Sequence, residues 1–251
     1  MANSYFNFKQ FTINQDNCAM KVCTDACLFG AVVADYKTCL PKDILSETAT
    51  GGPFSHCLEI GTGTGLLSLM IAQKNDTHTI DAVEIDTAAA AQAAENIAAS
   101  PWANRIQVFN EDILTFNTQK KYDCIVSNPP FYEGDLQSAD KAKNDAKHDT
   151  ALNLSELLKV VDKYLHPQGF FAVLLPYHRV EYFIEEAKKS GLFLGKQILV
   201  KHTLKHTFFR GILFFNRRET ETKVLEIVIW DTEHNYTAEF AELLKDYYLF
   251  L

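Results

Sequence analysis

The chain has 251 residues, 47% hydrophobic and 22% charged, with a formal net charge of −8. That is ample apolar material for one large core, and no window approaches the roughly 18 uncharged apolar residues of a membrane helix. The acidic balance argues against a surface that binds nucleic acid everywhere. The start of the chain lacks the basic stretch and apolar block of a secretory signal, so a cytoplasmic location is expected.

Residues 1–50 read as an N-terminal arm and cap, polar and dotted with aromatics. Within it, Thr24 and Asp25 precede the apolar run 26–33, which predicts an N-capped helix. A loop rich in Thr, Gly and Pro runs to Phe54. Strands and helices then alternate. Strands are expected at 56–60, 79–83, 106–109, 122–126 and 170–175, with helices at 66–73, 87–98, 154–165 and 179–189. Strands separated by helical patterns imply right-handed crossovers and a parallel sheet. Two long strands, 195–201 and 208–215, joined by a short polar link, read as an antiparallel hairpin. A further strand at 224–230 and a closing helix at 240–247 end the chain. The mixed, polar stretch 135–150 is the best candidate for a mobile loop. The expected organisation is a single domain over 1–251, with a core at 55–216 and a C-terminal strand and helix at 217–251.

Six cysteines, at 18, 23, 27, 39, 57 and 124, have no second Cys/His pair at zinc-finger spacing. Buried or incidental thiols are expected, and no metal. From Lys188 to Arg218 there is no Asp or Glu, but eight Lys or Arg, among them Lys196, Lys201, Lys205 and Arg210. Such a stretch suits a phosphate-bearing partner. It equally suits a solvated sheet edge guarded by lysines.

Four motifs lie where strands end. The first strand leads into Glu59-Ile60-Gly61-Thr62-Gly63-Thr64-Gly65. Glycines let the backbone turn tightly and approach a ligand at the carboxyl end of an open sheet. The dinucleotide fingerprint fails, because its third glycine position falls on Leu66. The second strand ends in Glu84-Ile85-Asp86, where an acid can accept from both ribose hydroxyls. The third leads to Asp112. The fourth ends in Asn128-Pro129-Pro130-Phe131. Proline has no N–H, so the ladder stops there and the chain leaves the sheet in a rigid turn. The Asn amide is thereby held toward whatever planar amine sits beyond the sheet.

The glycine pattern resembles motif I of class I S-adenosylmethionine-dependent methyltransferases, and Asn128-Pro129-Pro130-Phe131 is similar to the (D/N/S)-P-P-(Y/F/W) motif of amino methyltransferases. The arm 8–13, the segment Met20-Lys21-Val22-Cys23-Thr24-Asp25 and the end 245–249 resemble bacterial tRNA1(Val) adenine N6-methyltransferases. The resemblance implies a Rossmann-like α/β fold, with a mostly parallel seven-stranded sheet, helices on both faces and an antiparallel C-terminal hairpin. It implies S-adenosyl-L-methionine as cofactor, held by Lys21, Thr24, Asp25, Glu59, Gly61, Gly63, Gly65, Glu84, Asp86, Asp112 and Asn128. Asn128, Pro129, Pro130 and Phe131 would be catalytic, with Phe131 stacking on the target base. The partner would be tRNA at its anticodon stem-loop, contacted through Lys196, Lys201, Lys205 and Arg210. The same chemistry on a ribosomal RNA base or a release-factor glutamine amide, and a binding module with a degenerate site, are the alternatives.

Overall fold

A computed structural model describes residues 3–18, 20–35, 55–130 and 153–251. Cys39, Phe131, the predicted loop that ends at Phe54 and the predicted mobile loop at 135–150 lie outside the described residues. The polar, aromatic-dotted arm holds a short hairpin of β1 (Tyr5–Asn7) and β2 (Thr12–Asn14). Helix α1 (Thr24–Ala34) starts two residues before the predicted run, with Cys23 at its cap position, so Thr24 and Asp25 sit inside the first turn. The alternating elements follow as β3 (His56–Ile60), α2 (Leu66–Lys74), β4 (Thr79–Glu84), α3 (Thr87–Ala98), β5 (Ile106–Asn110) and β6 (Tyr122–Ser127). After them come α4 (Leu154–Tyr164), β7 (Leu165–Pro176), α5 (Tyr177–Lys189), β8 (Phe193–Lys201), β9 (Phe208–Asn216), β10 (Lys223–Val228) and α6 (Ala238–Leu244).

The large sheet has the order β10-β8-β9-β7-β6-β3-β4-β5. Among the described strands of this sheet only β9 runs antiparallel to its neighbours, β7 and β8. The expected class is therefore observed, with one strand more than the expected seven. The eighth is β10, which pairs in parallel with β8 from Lys223↔Lys196 to Val228↔Lys201.

Side-chain alternation divides the core between the two faces. Cys124, Val126, Phe170, Ala172, Ile212 and Phe214 face one layer, formed by α1, α2, α6 and the arm. Ile125, Phe171, Val173, Leu213 and Phe215 face the other, formed by α4 and α5. Burial on both faces explains why these strands read as nearly continuous apolar runs.

Strand β7 leaves α4 directly, and its register against β6 shifts between the pairs Tyr122↔Leu165 and Cys124↔Phe170. A Cβ at Gly169 would lie 2.8 Å from the Asp123 carbonyl oxygen, so the bulge requires glycine. The two chain ends meet on the α1/α2 layer. Lys9 N donates to Tyr247 O at 2.8 Å, and the buried Tyr247 hydroxyl donates to Met70 O at 2.9 Å.

Candidate active site

Parallel strands bring their carboxyl ends to one edge, and there the sequence-predicted motifs meet. The loop from β3 to α2 holds three left-handed glycines, Gly61 at φ 72°, Gly63 at 55° and Gly65 at 82°. A Cβ built on Gly61 or Gly63 would meet nothing within 4 Å, so the space above them is open. At Gly65 the same atom would touch Ile97 at 3.4 Å, so this glycine serves helix packing. Any side chain would be strained at all three.

Two acids hold the loop. Glu84, at the end of β4, accepts from Gly63 N at 2.8 Å through Oε2 and from Asp86 N at 3.0 Å through Oε1. Glu59 lies under the loop with only 1% of its surface exposed, and its Oε2 accepts from Ser68 N at 3.0 Å and from the Ser68 hydroxyl. It anchors the first turn of α2 from below. Burial pushes the Glu59 carboxyl up from the ordinary 4.5 to about 7. The folded protein thus holds this proton where the unfolded chain has lost it, and stability falls as pH rises through that window. We expect the urea midpoint of the wild type to drop between pH of about 5 and 7, and Glu59→Gln to drop less. Equal drops in the two proteins would refute the assignment.

Asp86 caps α3, its Oδ1 accepting from Ala89 N at 2.8 Å. Asp112 is half-buried beyond β5, and its Oδ1 accepts from Leu114 N at 2.9 Å. Ile85, between Glu84 and Asp86 in the chain, stands 53% exposed and offers an apolar surface. Asn110 Nδ2 donates to the Glu84 and Ile85 carbonyls at 3.0 and 3.2 Å and fixes the backbone there.

Strand β6 ends one residue before Asn128, where Ser127 Oγ donates to Ile60 O at 3.0 Å and ties it to β3. Pro129 is buried and Pro130 exposed. Among the described residues Asn128 Oδ1 is buried with no hydrogen-bond partner. A buried acceptor left unmade costs about 1–3 kcal/mol and calls for an explanation at the site.

The N-terminal segment closes one side. Asn96, on the buried stripe of α3, exchanges hydrogen bonds with Asn14 at 2.9 and 2.8 Å and donates to Thr64 O at 2.9 Å. It thus pins β2 to the glycine loop. Its signal in the sequence is a short amide, with Gln92, on the buried face of an alanine-rich helix. Gln15 is buried, and Lys21 Nζ and Val22 N both donate to it. Burial first, and the Glu84 carboxylate next, push the Cys18 thiol up, as expected of a thiol close to Glu84.

Asp25 lies at the same edge but is held by Arg210, whose Nε donates to Oδ2 at 2.7 Å. Burial alone would raise this carboxyl; hydrogen bonds from Cys23 and Arg210 outweigh it and keep it below the ordinary value. The sequence assigned these two residues to different ligands, and the fold pairs them.

The family model "Methyltransferase small domain" matches residues 19–173. A tRNA1(Val) (adenine(37)-N6)-methyltransferase of Dyadobacter fermentans is 39% identical over 98% of each chain. The chain belongs to the tRNA1(Val) (adenine(37)-N6)-methyltransferase family. A second member of that name, from Pectobacterium carotovorum, is 38% identical over 98% of this chain and 94% of its own. Among solved structures, a predicted O-methyltransferase of Agrobacterium tumefaciens superposes with a TM-score of 0.62 at 14% identity, covering 88% of this chain and 96% of that one. A class I S-adenosylmethionine-dependent methyltransferase of Listeria monocytogenes gives 0.55 at 15%, covering 85% and 67%. At such identities these two show the fold alone.

The basic stretch of this family member is not one uniform surface. Lys196 is only 5% exposed and its amine lies 5.7 Å from the Phe214 ring, which removes it from the candidate RNA contacts. Arg210 is engaged with Asp25. Lys201 is paired with Glu226 at 3.0 Å, and Lys205 is exposed at the hairpin tip. Burial of the long stem decides which lysines remain for solvent. Among the described residues no cluster of His, Cys, Asp and Glu could hold a metal, and no helix is long and apolar enough to cross a membrane.

Proposed function

We propose that this chain transfers a methyl group from S-adenosyl-L-methionine to N6 of adenosine 37 in tRNA1(Val), acting in the cytoplasm at the anticodon stem-loop. The observation that carries the chemistry is the Oδ1 of Asn128 at the end of β6, buried and unpartnered among the described residues. The target follows from relatives of that name along the whole chain.

The residues suit the methyl donor. Open space over Gly61 and Gly63 admits a ligand against the backbone. Glu84 keeps lone pairs for the two ribose hydroxyls after serving Gly63 and Asp86. The branched side chain of Ile85 offers an apolar face to a purine, and the second oxygen of Asp112 accepts from its amine. Lys21, Thr24 and Asp25 belong to the segment that covers the amino-acid end. Glu59 and Asp86 act through the loop and the helix cap that they hold. When bound, S-adenosyl-L-methionine supplies an electrophilic methyl group on a sulfonium.

The protein must make a poor nucleophile reactive. An exocyclic adenine amine has its lone pair spread into the ring. Asn128 Oδ1 and the Pro129 carbonyl accept its two N–H groups and turn the lone pair out of the ring plane. They stabilise the tetrahedral nitrogen of the transition state more than the planar ground state. No strong base is required, because the nitrogen proton becomes acidic once the fourth bond forms. Phe131 supplies a stacking face to the flipped base.

Labelled methyl transfer to unmodified tRNA1(Val) tests this reading, with adenosine 37 replaced by guanosine as the control. Label is expected in the first and not the second. Equal label in both would move the chemistry to another amine.

A further inference from the structure

We propose that the tip of the β8–β9 hairpin, with the first residue of α5, is a stacking platform for unpaired RNA bases beside the target adenosine. This rests on tRNA being the substrate.

Its place follows from the strand register. Arg210 pairs with Pro176 at the end of β7, and Val173 of β7 pairs with Ser127 at the end of β6. The tip therefore stands on the carboxyl edge, as Asn128 does. Two strand spacings of about 4.8 Å put it ~10 Å along the edge from β6. Nucleotides next to a flipped base lie within that reach.

Its chemistry is that of single-stranded nucleic-acid sites, which combine aromatic faces with positive charge. The exposed His202 ring stacks on Phe209 with centroids 3.8 Å apart and planes 13° apart. Tyr177 is 42% exposed, and its ring lies 5.3 Å from Phe208. Lys201 Nζ sits 4.1 Å from the Phe208 centroid. Leu204, at the turn, is 72% exposed.

The turn is shaped before any partner arrives. His206 Nδ1 lies 2.8 Å from Thr203 Oγ1, which also accepts from Lys205 N at 3.3 Å, while His206 N donates to Thr203 O at 3.1 Å. The turn that carries His202 therefore needs little ordering on binding. No acid occurs between Lys188 and Arg218. Among the described residues, Glu226 and Asp25 reach the tip from other elements and are bound to Lys201 and Arg210, while the Asp231 carboxylate accepts from Glu233 N and Asn235 N of its own turn. A guarded sheet edge would explain lysines there. It would not explain exposed Tyr177, His202 and Leu204 around one turn.

The test uses the anticodon stem-loop of tRNA1(Val), with 2-aminopurine in place of the nucleotide beside adenosine 37. Wild-type protein should quench its fluorescence on binding. Tyr177→Ala and His202→Ala should each weaken binding about tenfold and reduce the quench, with the salt slope unchanged. KM for RNA should rise while kcat at saturating RNA and S-adenosyl-L-methionine affinity hold. Tyr177→Phe and His202→Phe keep a ring and should restore binding. Lys205→Ala should instead lower the salt slope by about one and leave the quench intact. The platform is overturned if wild type binds and methylates the stem-loop and the Tyr177/His202 double alanine variant binds it equally well. Wild type that binds the stem-loop but leaves adenosine 37 unmethylated counts against the proposed function; the ring variants' affinities still decide the platform.

Discussion

Asn128→Ala lowers the turnover number by about 100- to 1000-fold and leaves the affinity for S-adenosyl-L-methionine nearly unchanged. The loss reflects one preorganised hydrogen-bond group aimed at a transition state, which mutagenesis in other enzymes values at that size. Among the described residues Oδ1 is buried without a partner, so its removal relieves a desolvation penalty. The variant should therefore unfold at a urea concentration no lower than the wild type. Lost turnover without lost stability is the signature of a group kept for function. Single-turnover methylation beside urea unfolding gives both numbers. If the variant turns over normally, the amide has no part in the reaction; if it also unfolds early, the amide is structural.

Glu84→Ala weakens S-adenosyl-L-methionine binding by about 100-fold, roughly 3 kcal/mol, from the loss of hydrogen bonds to a charged acceptor. Part of this comes through the protein itself, because the same carboxylate holds Gly63 N and Asp86 N. Glu84→Gln restores only a fraction. Its new NH2 must face one of the backbone N–H donors that the lost oxygen accepted from. With saturating donor, kcat should change little, since neither variant touches the amine. Calorimetric titration measures the affinity, and an unaltered dissociation constant would remove Glu84 from the ribose site.

How much of the site could be read in one dimension depends on what holds each residue. Gly61, Gly63 and Asn128-Pro129-Pro130 carry their geometry in their own backbones. A glycine permits positive φ wherever it stands, and a proline stops a ladder wherever it stands. Glu84 and Asp112 were legible because a strand end in a parallel sheet is also a place at the ligand edge. Glu59 was legible as part of the motif, but its position beneath the loop depends on Ser68, nine residues on across the glycine loop.

The pairing of Asp25 with Arg210 spans 185 residues, and no local pattern announces it. Lys196 and Lys205 look alike in a basic stretch. One lies on the inner side of β8 under Phe214 and the other at a turn. The added strand β10 was itself visible, but its parallel place beside β8 was not. A crossover through the intervening residues has no turn signature to fix its partner.

By itself, then, the sequence determined the α/β class, the glycine loop, the acids at strand ends and the amide turn. Each depends on local backbone chemistry or on a period of apolar residues. Only the tertiary structure decided which charges are paired, which lysines are buried and that Asn96 joins the arm to the glycine loop. It alone placed the β8–β9 tip on the same edge as Asn128. Those facts depend on contacts between residues far apart in the chain, which packing selects and local propensity does not encode.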